Sequence, residues 1–312
     1  MADENMTWMS EFILLGLTDD PRLEIPLFIL FLMVYIVTFM SNTCIVTVIC
    51  TSLRLHTPMY FLLSNLSLVD LCYSSTITPN TLANFLAVRK VISLPGCITQ
   101  MFSFVLTGGA DILLLAIMAY DRYVAICNPL YYTVTMTELV CIYLVVGAYC
   151  AALLNALIQS CLSLRLSFCK SNKITHFYCD VPPLLKLSCS DIRTNEAVLI
   201  FIGGSIMAAS LVVVLLSYTF IISAVLKIPS SKGRHRLFST CSAHFLCVTL
   251  FFSTSFFMYI RPSSSYTMDR DRVASVFYTM VIPMLNPLIY SLRNQEVKES
   301  VKNLAEYVLL RR

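Results

Sequence analysis

Long runs of apolar residues alternate with short polar segments along the whole chain. The runs lie at residues 26–50, 58–81, 98–127, 139–162, 196–226, 238–260 and 273–292. Each run can cross a hydrocarbon core about 30 Å thick as an α-helix. Asp70 and three prolines (Pro79, Pro283 and Pro287) interrupt the second and seventh runs, but prolines are tolerated in spanning helices. The pattern predicts an all-α membrane protein, a single domain over residues 1–312 with a bundle of seven transmembrane helices.

The composition supports this prediction and excludes a water-soluble fold. Of the 312 residues, 57% are hydrophobic and 13% are charged, and the mean hydropathy is +0.76. A soluble domain of this size would expose much of that apolar surface to water. We therefore expect membrane lipid to surround the chain, and no nucleic acid among its partners.

The orientation follows from the ends of the chain and from one loop. Residues 1–25 begin with an acidic stretch that lacks the features of a cleavable signal peptide, so the first span is expected to act as the targeting signal. Lys and Arg divide evenly between the two sides and do not decide the orientation. The Asn-Met-Thr acceptor at Asn5 is usable only in the lumen, and loop 163–195 holds three cysteines, as expected on the oxidising side. We expect an extracellular N-terminus that is glycosylated at Asn5, and a cytoplasmic tail at residues 293–312.

The tail has an amphipathic pattern. Its apolar residues recur at steps of three or four, at Val297, Val301, Leu304 and Val308, while the opposite side carries Lys298, Lys302 and Glu306. This spacing predicts a short amphipathic helix on the inner leaflet. A disordered tail is the alternative.

The thirteen cysteines divide by position. Nine lie in or beside apolar runs, where a free cysteine behaves as a small hydrophobic residue. Cys97, Cys169, Cys179 and Cys189 lie at or beyond the outer face, and four cysteines allow three pairings. Zinc binding is disfavoured although His176 is close, because no Cys-x-x-Cys pair accompanies it and lumenal cysteines usually oxidise.

Charged groups within or at the end of apolar runs are candidates for function. Asp70 and Asp111 lie deep in apolar sequence, where a lone carboxylate needs a partner or a proton. Asp121 and Arg122 end the third run, and ionised groups there are either functional or mark the membrane boundary.

Five separated motifs resemble those of one receptor family. They are LHTPMY (55–60), MAYDRYVAIC (118–127), Ser217-Tyr218, LFSTCSAH (237–244) and PMLNPLIYSLRN (283–294). Together they resemble odorant receptors, of the tetrapod-type (class II) branch of the rhodopsin-like G-protein-coupled receptors. The chain departs from the family's usual pattern in three places, with Ser41-Asn42 for Gly-Asn, Phe251-Phe252-Ser253 for Phe-Tyr-Gly, and RLFSTC for KAFSTC.

The resemblance implies specific partners for the cysteines and the two buried carboxylates. It favours the disulfides Cys97–Cys179 and Cys169–Cys189. It also places Asp70 and Asp111 where such receptors hold a sodium ion, and paired carboxylates suit a hard cation. The alternative is one shared proton with a hydrogen bond to Asn286. No other cofactor is expected.

The resemblance also implies a switch at the inner end of the bundle. Its residues are Asp121, Arg122, Tyr123, Tyr218, Asn286, Pro287 and Tyr290. We expect Asp121 to pair with Arg122 in the resting state. Pro287 removes one backbone hydrogen bond from its helix, which creates a weak point beside polar side chains. A static kink is the alternative.

A ligand cavity is expected in the outer half of the bundle. On the third helix, one face at helical spacing holds Phe104, Val105, Gly108, Gly109 and Ile112. The two glycines either leave volume for a ligand or allow close packing of helices. The family's cavity between the third, fifth and sixth helices adds Ile202, Gly203, Ile206, Met207, Phe256 and Tyr259, with further hydroxyls from Ser255 and Thr279. No acid or base occurs in this set, so it suits a small apolar volatile.

The sequence thus indicates an odorant receptor and no enzyme. The family implies a heterotrimeric G protein of the stimulatory olfactory type, a rise in cyclic AMP, and a plasma-membrane location in sensory cilia. A transporter or channel is less well supported, because no repeated halves with broken helices are present. An intramembrane enzyme is disfavoured because His176, His235 and His244 are dispersed and no nucleophile or metal cluster accompanies the carboxylates.

Overall fold

The computed structural model describes residues 10–18, 20–169, 171–259, 268–293 and 295–310. Within them, seven long helical segments follow one another, and we number them as spans 1 to 7. Spans 1 to 4 are α1 (Pro21–Thr51), α2 (Pro58–Leu86), α3 (Leu94–Cys127) and α5 (Glu138–Ser163). Span 5 joins α7 (Arg193–Val198), a π-helical turn (Leu199–Gly203) and α8 (Gly204–Leu226). Span 6 is α9 (Ser231–Tyr259), and span 7 joins α10 (Met268–Val276), a π-helical turn (Phe277–Val281) and α11 (Ile282–Arg293).

The remaining helices are short or lie outside the bundle. A 3₁₀ turn (Leu53–Leu55) joins spans 1 and 2, and α4 (Tyr132–Thr135) lies between spans 3 and 4. In the long loop between spans 4 and 5, residues 164–192, one helical segment forms α6 (Val181–Leu187). The tail forms α12 (Gln295–Leu310), as its amphipathic pattern predicts.

The observed spans agree with the seven predicted runs to within several residues at each end. Five helices in the described ranges are long and apolar enough to cross a membrane: Pro21–Thr51, Leu94–Cys127, Glu138–Ser163, Arg193–Leu226 and Arg272–Tyr290. Span 6 contains a shorter apolar helix at His244–Phe256. Span 2 is more polar because much of it is buried between spans 1 and 3, where Ser67, Asp70 and Thr78 face other helices and not lipid.

Several spans begin at a residue that caps the helix. The Asp20 side chain accepts a hydrogen bond from the Arg22 N–H at 2.9 Å, ahead of span 1. Ser93 accepts from the Gly96 N–H at 3.2 Å, ahead of span 3, and Thr137 does the same for Val140 ahead of span 4. Such caps satisfy N–H groups that have no partner within the helix, and so define where each span starts.

A small sheet and two disulfides cover one end of the bundle, which we call the cap end. Strand β1 (Glu11–Leu14) lies between β2 (Val91–Ser93), to which it is antiparallel, and β3 (Lys173–Ile174), to which it is parallel. The disulfides are Cys97–Cys179 and Cys169–Cys189, the two pairs that the resemblance implied. The cap end therefore joins the segment before span 1, the loop before span 3 and the long loop into one layer.

The opposite end, which we call the tail end, is held by α12. Val297 is fully buried against the main hydrophobic core, and Val301 and Leu304 pack at its edge. Lys302 and Glu306 lie on the other side of the helix, 3.8 Å apart. The side chain of Val308 lies outside what the structure describes. The predicted amphipathic helix is confirmed, and it rests across the end of the bundle.

Candidate ligand cavity and polar clusters

A cavity of about 480 Å³ lies in the half of the bundle nearer the cap end. Its walls come from spans 2 to 7 and from the long loop. Apart from the predicted residues discussed next, they comprise Tyr73, Asn155, Gln159, Asp180, Val181, Leu199, Ile200, Gly204, Ala208, Leu211, Phe251 and Tyr278. Most of these side chains are apolar, and the volume is within the range of cavities that enclose small molecules.

Most of the predicted ligand residues line this cavity. All five from span 3 do so, namely Phe104, Val105, Gly108, Gly109 and Ile112. Gly203, Ile206 and Met207 contribute from span 5, and Ser255 and Phe256 from span 6. The helical face that the sequence indicated on span 3 is therefore the central wall of the cavity.

Two predicted residues, Ile202 and Thr279, do not line the cavity. Both lie in π-helical turns, Leu199–Gly203 and Phe277–Val281. A π-helical turn contains more residues than an α-helical turn, so it shifts which side chains face inward. The Thr279 hydroxyl is buried and donates to the Ser275 carbonyl at 2.7 Å. The neighbouring Tyr278 lines the cavity instead.

Tyr259 is the one predicted ligand residue whose position relative to the cavity is not described. The backbone of Tyr259 ends α9, but its side chain lies outside what the structure describes. Asn5, the predicted glycosylation acceptor, also lies outside the described residues.

The two glycines of span 3 have different surroundings. A Cβ atom added at Gly108 would lie 3.5 Å from Cε2 of Tyr73, which is an ordinary contact. At Gly109 it would lie 3.3 Å from Cβ and 3.6 Å from Cα of Ala152 on span 4, which is closer than most real contacts. Gly108 therefore provides cavity volume, whereas Gly109 also allows span 3 to approach span 4.

The cavity is more polar than the sequence indicated. The expectation that no acid lines it is corrected by Asp180 of the long loop, whose Oδ1 accepts the Val181 N–H at 2.7 Å. Asn155 and Gln159 add two amides from span 4. Their spacing of four residues within an apolar run places both on one helical face. This spacing could have identified them as candidate cavity residues from the sequence.

Residues 176–181 of the long loop, which we call the roof, contribute Asp180 and Val181 to the cavity wall. The roof is attached to span 7. The His176 Nδ1 accepts the Phe177 N–H at 3.0 Å, so the neutral ring carries its proton on Nε2, which donates to the Ser275 hydroxyl at 2.9 Å. Burial, and secondly the positive charge of Arg272, lower the pKa of His176 to about 3. The hydroxyls of Tyr178 and Tyr278 also form a hydrogen bond. The roof thus depends on a neutral histidine.

A second attachment of the roof involves span 3. The Cys97–Cys179 disulfide joins the long loop to the start of this helix. One turn further along, the Gln100 side chain accepts the Cys179 N–H at 3.0 Å. The ring of Phe104, a cavity residue, lies 5.0 Å from the ring of Tyr178. The roof and the span 3 wall are therefore positioned by the same residues.

A buried polar cluster lies below the cavity. The Asn286 amide donates to Oδ2 of Asp70 at 3.0 Å, and the Asn42 amide donates to the Pro283 carbonyl at 3.0 Å. Among the described residues, the Oδ1 atoms of Asp70, Asp111 and Asn286 have no hydrogen-bond partner. An all-oxygen set of this kind matches the ligands that hard cations prefer. No group of three or more His, Cys, Asp or Glu side chains suited to a metal occurs in the described ranges.

The predicted ion pair between Asp121 and Arg122 is not present in the described part of the chain. Asp121 is buried, and its Oδ1 accepts a hydrogen bond of 2.8 Å from the Tyr132 hydroxyl in α4. Arg122 is half-buried at the end of span 3. The reason is that adjacent residues on a helix point in different directions, and α4 brings a closer partner to Asp121.

Other predicted switch residues meet around His244 of span 6. The Tyr218 hydroxyl and His244 Nδ1 are 2.6 Å apart, and the rings of His244 and Tyr290 lie 6.4 Å apart. Tyr123 packs separately, with its ring 5.6 Å from that of Phe220. Spans 5, 6 and 7 thus contact one another here through aromatic and polar side chains.

A second cavity, of about 620 Å³, opens at the tail end. Its walls include Cys50, His56, Phe61, Tyr132 and Cys141, from spans 1, 2 and 4 and the segments that join them. It is larger than the cap-end cavity, but it is far from the predicted ligand residues. Tyr132, which is part of its wall, is also the residue that donates a hydrogen bond to Asp121.

Comparison with known proteins identifies relatives over nearly the whole chain. A family profile described as olfactory receptor matches residues 31–307. The chain is 52% identical over 304 residues to olfactory receptor 8U9 of Mus musculus, covering 97% of each chain. It is also 52% identical to olfactory receptor 8U1 of Homo sapiens over 304 residues (97% of this chain and 98% of that receptor), and to olfactory receptor 5B12 of Homo sapiens over 299 residues (96% and 95%).

Proposed function

The chain belongs to the olfactory receptor family, and we propose that it binds small, mostly apolar volatile molecules in the cap-end cavity. It is an odorant-sensing, seven-span receptor of the membrane and not an enzyme. Binding activates a heterotrimeric G protein of the stimulatory olfactory type, which raises cyclic AMP. The cavity of about 480 Å³, lined by spans 2 to 7 and the long loop, is the observation that carries the proposal.

The cavity and the tail end are joined by span 6. Phe251 and Ser255 line the cavity, while His244 on the same helix contacts Tyr218 of span 5. A ligand that favours another position of span 6 therefore also changes that contact. Because a ligand shifts an equilibrium only through its different affinities for the two states, this shared helix couples the two ends.

The tail end is where the G protein binds in this proposal. Arg122 lies there half-buried at the end of span 3, beside the Asp121–Tyr132 contact. A repositioned span 6 opens a cleft in which Arg122 faces the partner. Tyr218 and Tyr290, whose side chains both lie near His244, then support the open arrangement.

The proposed orientation places the cap end outside the cell, at the plasma membrane of sensory cilia. Both disulfides and β1 lie at this end, and disulfides persist on the oxidising side of a membrane. The N-terminal segment is then extracellular, and α12 lies on the inner leaflet. Glycosylation at Asn5 fits the same orientation.

A sodium ion held by Asp70 and Asp111 is a further part of the proposal. Their Oδ1 atoms and that of Asn286 are buried oxygens without partners in the described residues. The ion would supply positive charge that balances the two carboxylates. Thermal unfolding of the purified receptor in sodium, compared with potassium at the same concentration, tests this. Equal stability in the two salts would favour the alternative of a shared proton.

The proposed function is tested with a cyclic-AMP reporter and a panel of volatile compounds. Cells that carry the chain should respond to some of them, and their membranes should promote nucleotide exchange on the olfactory G protein. Met207→Trp, which fills the cavity from span 5, should remove the responses. Val212→Trp on the same span should not, because Val212 is 54% exposed on the lipid-facing side. Responses that survive Met207→Trp at normal surface level would contradict binding in this cavity.

A further inference from the structure

Two buried amides stand out on the span 4 wall of the cap-end cavity. Asn155 and Gln159 line the cavity and are 6% and 1% exposed. They are four residues apart in α5, so they lie one above the other on the same helical face. We call them the amide pair.

The hydrogen bonds of the amide pair are incomplete. Neither Nε2 nor Oε1 of Gln159 has a hydrogen-bond partner among the described residues, and the same holds for Oδ1 of Asn155. A buried donor or acceptor that has lost its water without gaining a partner destabilises the folded protein. The presence of amides with unpaired polar atoms is explained if a molecule that enters the cavity forms the missing hydrogen bonds.

Two other polar side chains on the wall, Asp180 and Tyr278, already have partners. Asp180 accepts the Val181 N–H at 2.7 Å, and the Tyr278 hydroxyl is hydrogen-bonded to Tyr178. The amide pair therefore offers a donor and two acceptors that the described residues leave available. Elsewhere on the wall, Val105, Ile206 and Met207 present apolar side chains.

On the basis of the proposed function, we propose that the amide pair recognises a hydroxyl group, so that the cavity prefers aliphatic alcohols to aldehydes and hydrocarbons of the same length. A hydroxyl has one donor and two lone pairs. It accepts from Nε2 of Gln159 and donates to Oε1 of Gln159 or Oδ1 of Asn155. An aldehyde only accepts, and a hydrocarbon leaves the whole amide pair without partners. The alkyl chain of the alcohol packs against the apolar wall.

The test measures binding to the purified full-length receptor. Its thermal stability is followed with straight-chain alcohols, aldehydes and hydrocarbons, in matched sets from pentyl to decyl. A compound that binds only the folded state raises the midpoint of unfolding. We expect the best alcohol to bind roughly 10- to 100-fold more tightly than its aldehyde, as one or two lost hydrogen bonds imply.

Gln159→Met tests the amide directly, because methionine has a similar length and no strong donor or acceptor. It should abolish the preference for the alcohol and raise the stability of the ligand-free receptor. Ser160→Ala is the matched control, since Ser160 is buried beside it and its Oγ also has no partner in the described residues, but it does not line the cavity. This control should keep the preference. Asn155→Leu provides a second variant if Gln159→Met is not recovered in folded form.

Several results would overturn the proposal. The first is that no compound in the panel binds. The second is that the unchanged receptor does not prefer the alcohol. The third is that Gln159→Met weakens the binding of all three compound classes equally. The readout needs no G protein, so it separates this inference from the proposed function. An alcohol that binds through Gln159 but promotes no nucleotide exchange would support the inference and contradict the proposed signalling role.

Discussion

The two ends of this receptor are held together by different kinds of contact. At the cap end, two disulfides, a three-stranded sheet and the His176–Ser275 hydrogen bond join the long loop to the bundle. At the tail end, α12 packs on the bundle through Val297, and the polar ties are single hydrogen bonds. They include Asp121–Tyr132, Tyr218–His244 and the bond of 2.6 Å that the Tyr60 hydroxyl donates to Glu296. The difference indicates a stable frame around the proposed ligand cavity and a more easily rearranged tail end, where we propose that the G protein binds.

The contacts at the cap end also contribute more free energy of folding than those at the tail end. A disulfide that closes a loop of about eighty residues stabilises the fold by up to about 4–5 kcal/mol in the chain-entropy model. A typical side-chain hydrogen bond contributes only about 0.5–1.5 kcal/mol. Changes at the cap end should therefore affect folding and surface level, and changes at the tail end should affect the balance between resting and active states.

The largest effect is expected for the Cys97–Cys179 disulfide, which spans 82 residues. Cys97→Ser and Cys179→Ser should each retain the receptor inside the cell, because the roof of the cavity loses its covalent tie to span 3. The double variant should be no worse than either single variant. Surface labelling measures this, and a clearly worse double variant would mean that the two cysteines have other partners.

Arg122→Ala should separate signalling from folding at the tail end. We expect normal surface level and ligand binding but no odorant-evoked cyclic AMP, because the half-buried Arg122 lies at the proposed G-protein cleft. A loss of this kind corresponds to a shift of a few kcal/mol in the two-state equilibrium. Normal signalling by this variant would remove Arg122 from the switch.

The neutral His176 makes the cap end sensitive to acid. In the folded protein the pKa of His176 is about 3, below its ordinary value of 6.5. Between pH 3 and pH 6.5 the histidine is therefore protonated in the unfolded chain but neutral in the folded protein. Stability should therefore fall as the pH drops below about 6.5, by about 2 kcal/mol at pH 5. Thermal unfolding against pH measures this, and His176→Asn should flatten that part of the profile. An unchanged profile would show that other groups dominate.

The two glycines of span 3 should respond differently to the same added methyl group. Gly109→Ala should lower the unfolding temperature by an amount equivalent to about 1–3 kcal/mol, because its Cβ lies 3.3 Å from Cβ of Ala152. Gly108→Ala should leave stability intact and weaken large ligands roughly 10-fold more than small ones. Unfolding temperature and ligand potency distinguish them, and equal behaviour would refute the division of roles.

The smallest effect is expected at the contact of Asp121. Tyr132→Phe removes a hydrogen bond of 2.8 Å and should raise basal nucleotide exchange by about 2- to 10-fold. Tyr131→Phe is the matched control, because Tyr131 is the neighbouring residue and is 68% exposed. The same rise in both variants would show that the Asp121–Tyr132 contact does not hold the resting state.

Most of the architecture could be predicted from the local sequence. The seven spans and the tail helix follow from runs and spacings of apolar residues, which reflect the thickness of the membrane and the period of the helix. The face of span 3 from Phe104 to Ile112 was located in the same way, and all five of its predicted residues line the cavity. These features depend on interactions within one element, so a single segment carries the information.

Other features depend on how separate elements meet. Ile202 and Thr279 were assigned to the cavity on a regular helical period, and the π-helical turns that contain them change that period. The different roles of Gly108 and Gly109 depend on which helix lies opposite each of them.

The partners of polar side chains likewise came from distant segments. Asp121 contacts Tyr132, and not the adjacent Arg122, because α4 folds back against span 3. The sequence already contained the residue types, the spans and the motifs of the family. Tertiary packing decided which side chains face one another and which buried polar atoms remain without partners, because those outcomes depend on distances between elements that no local pattern encodes.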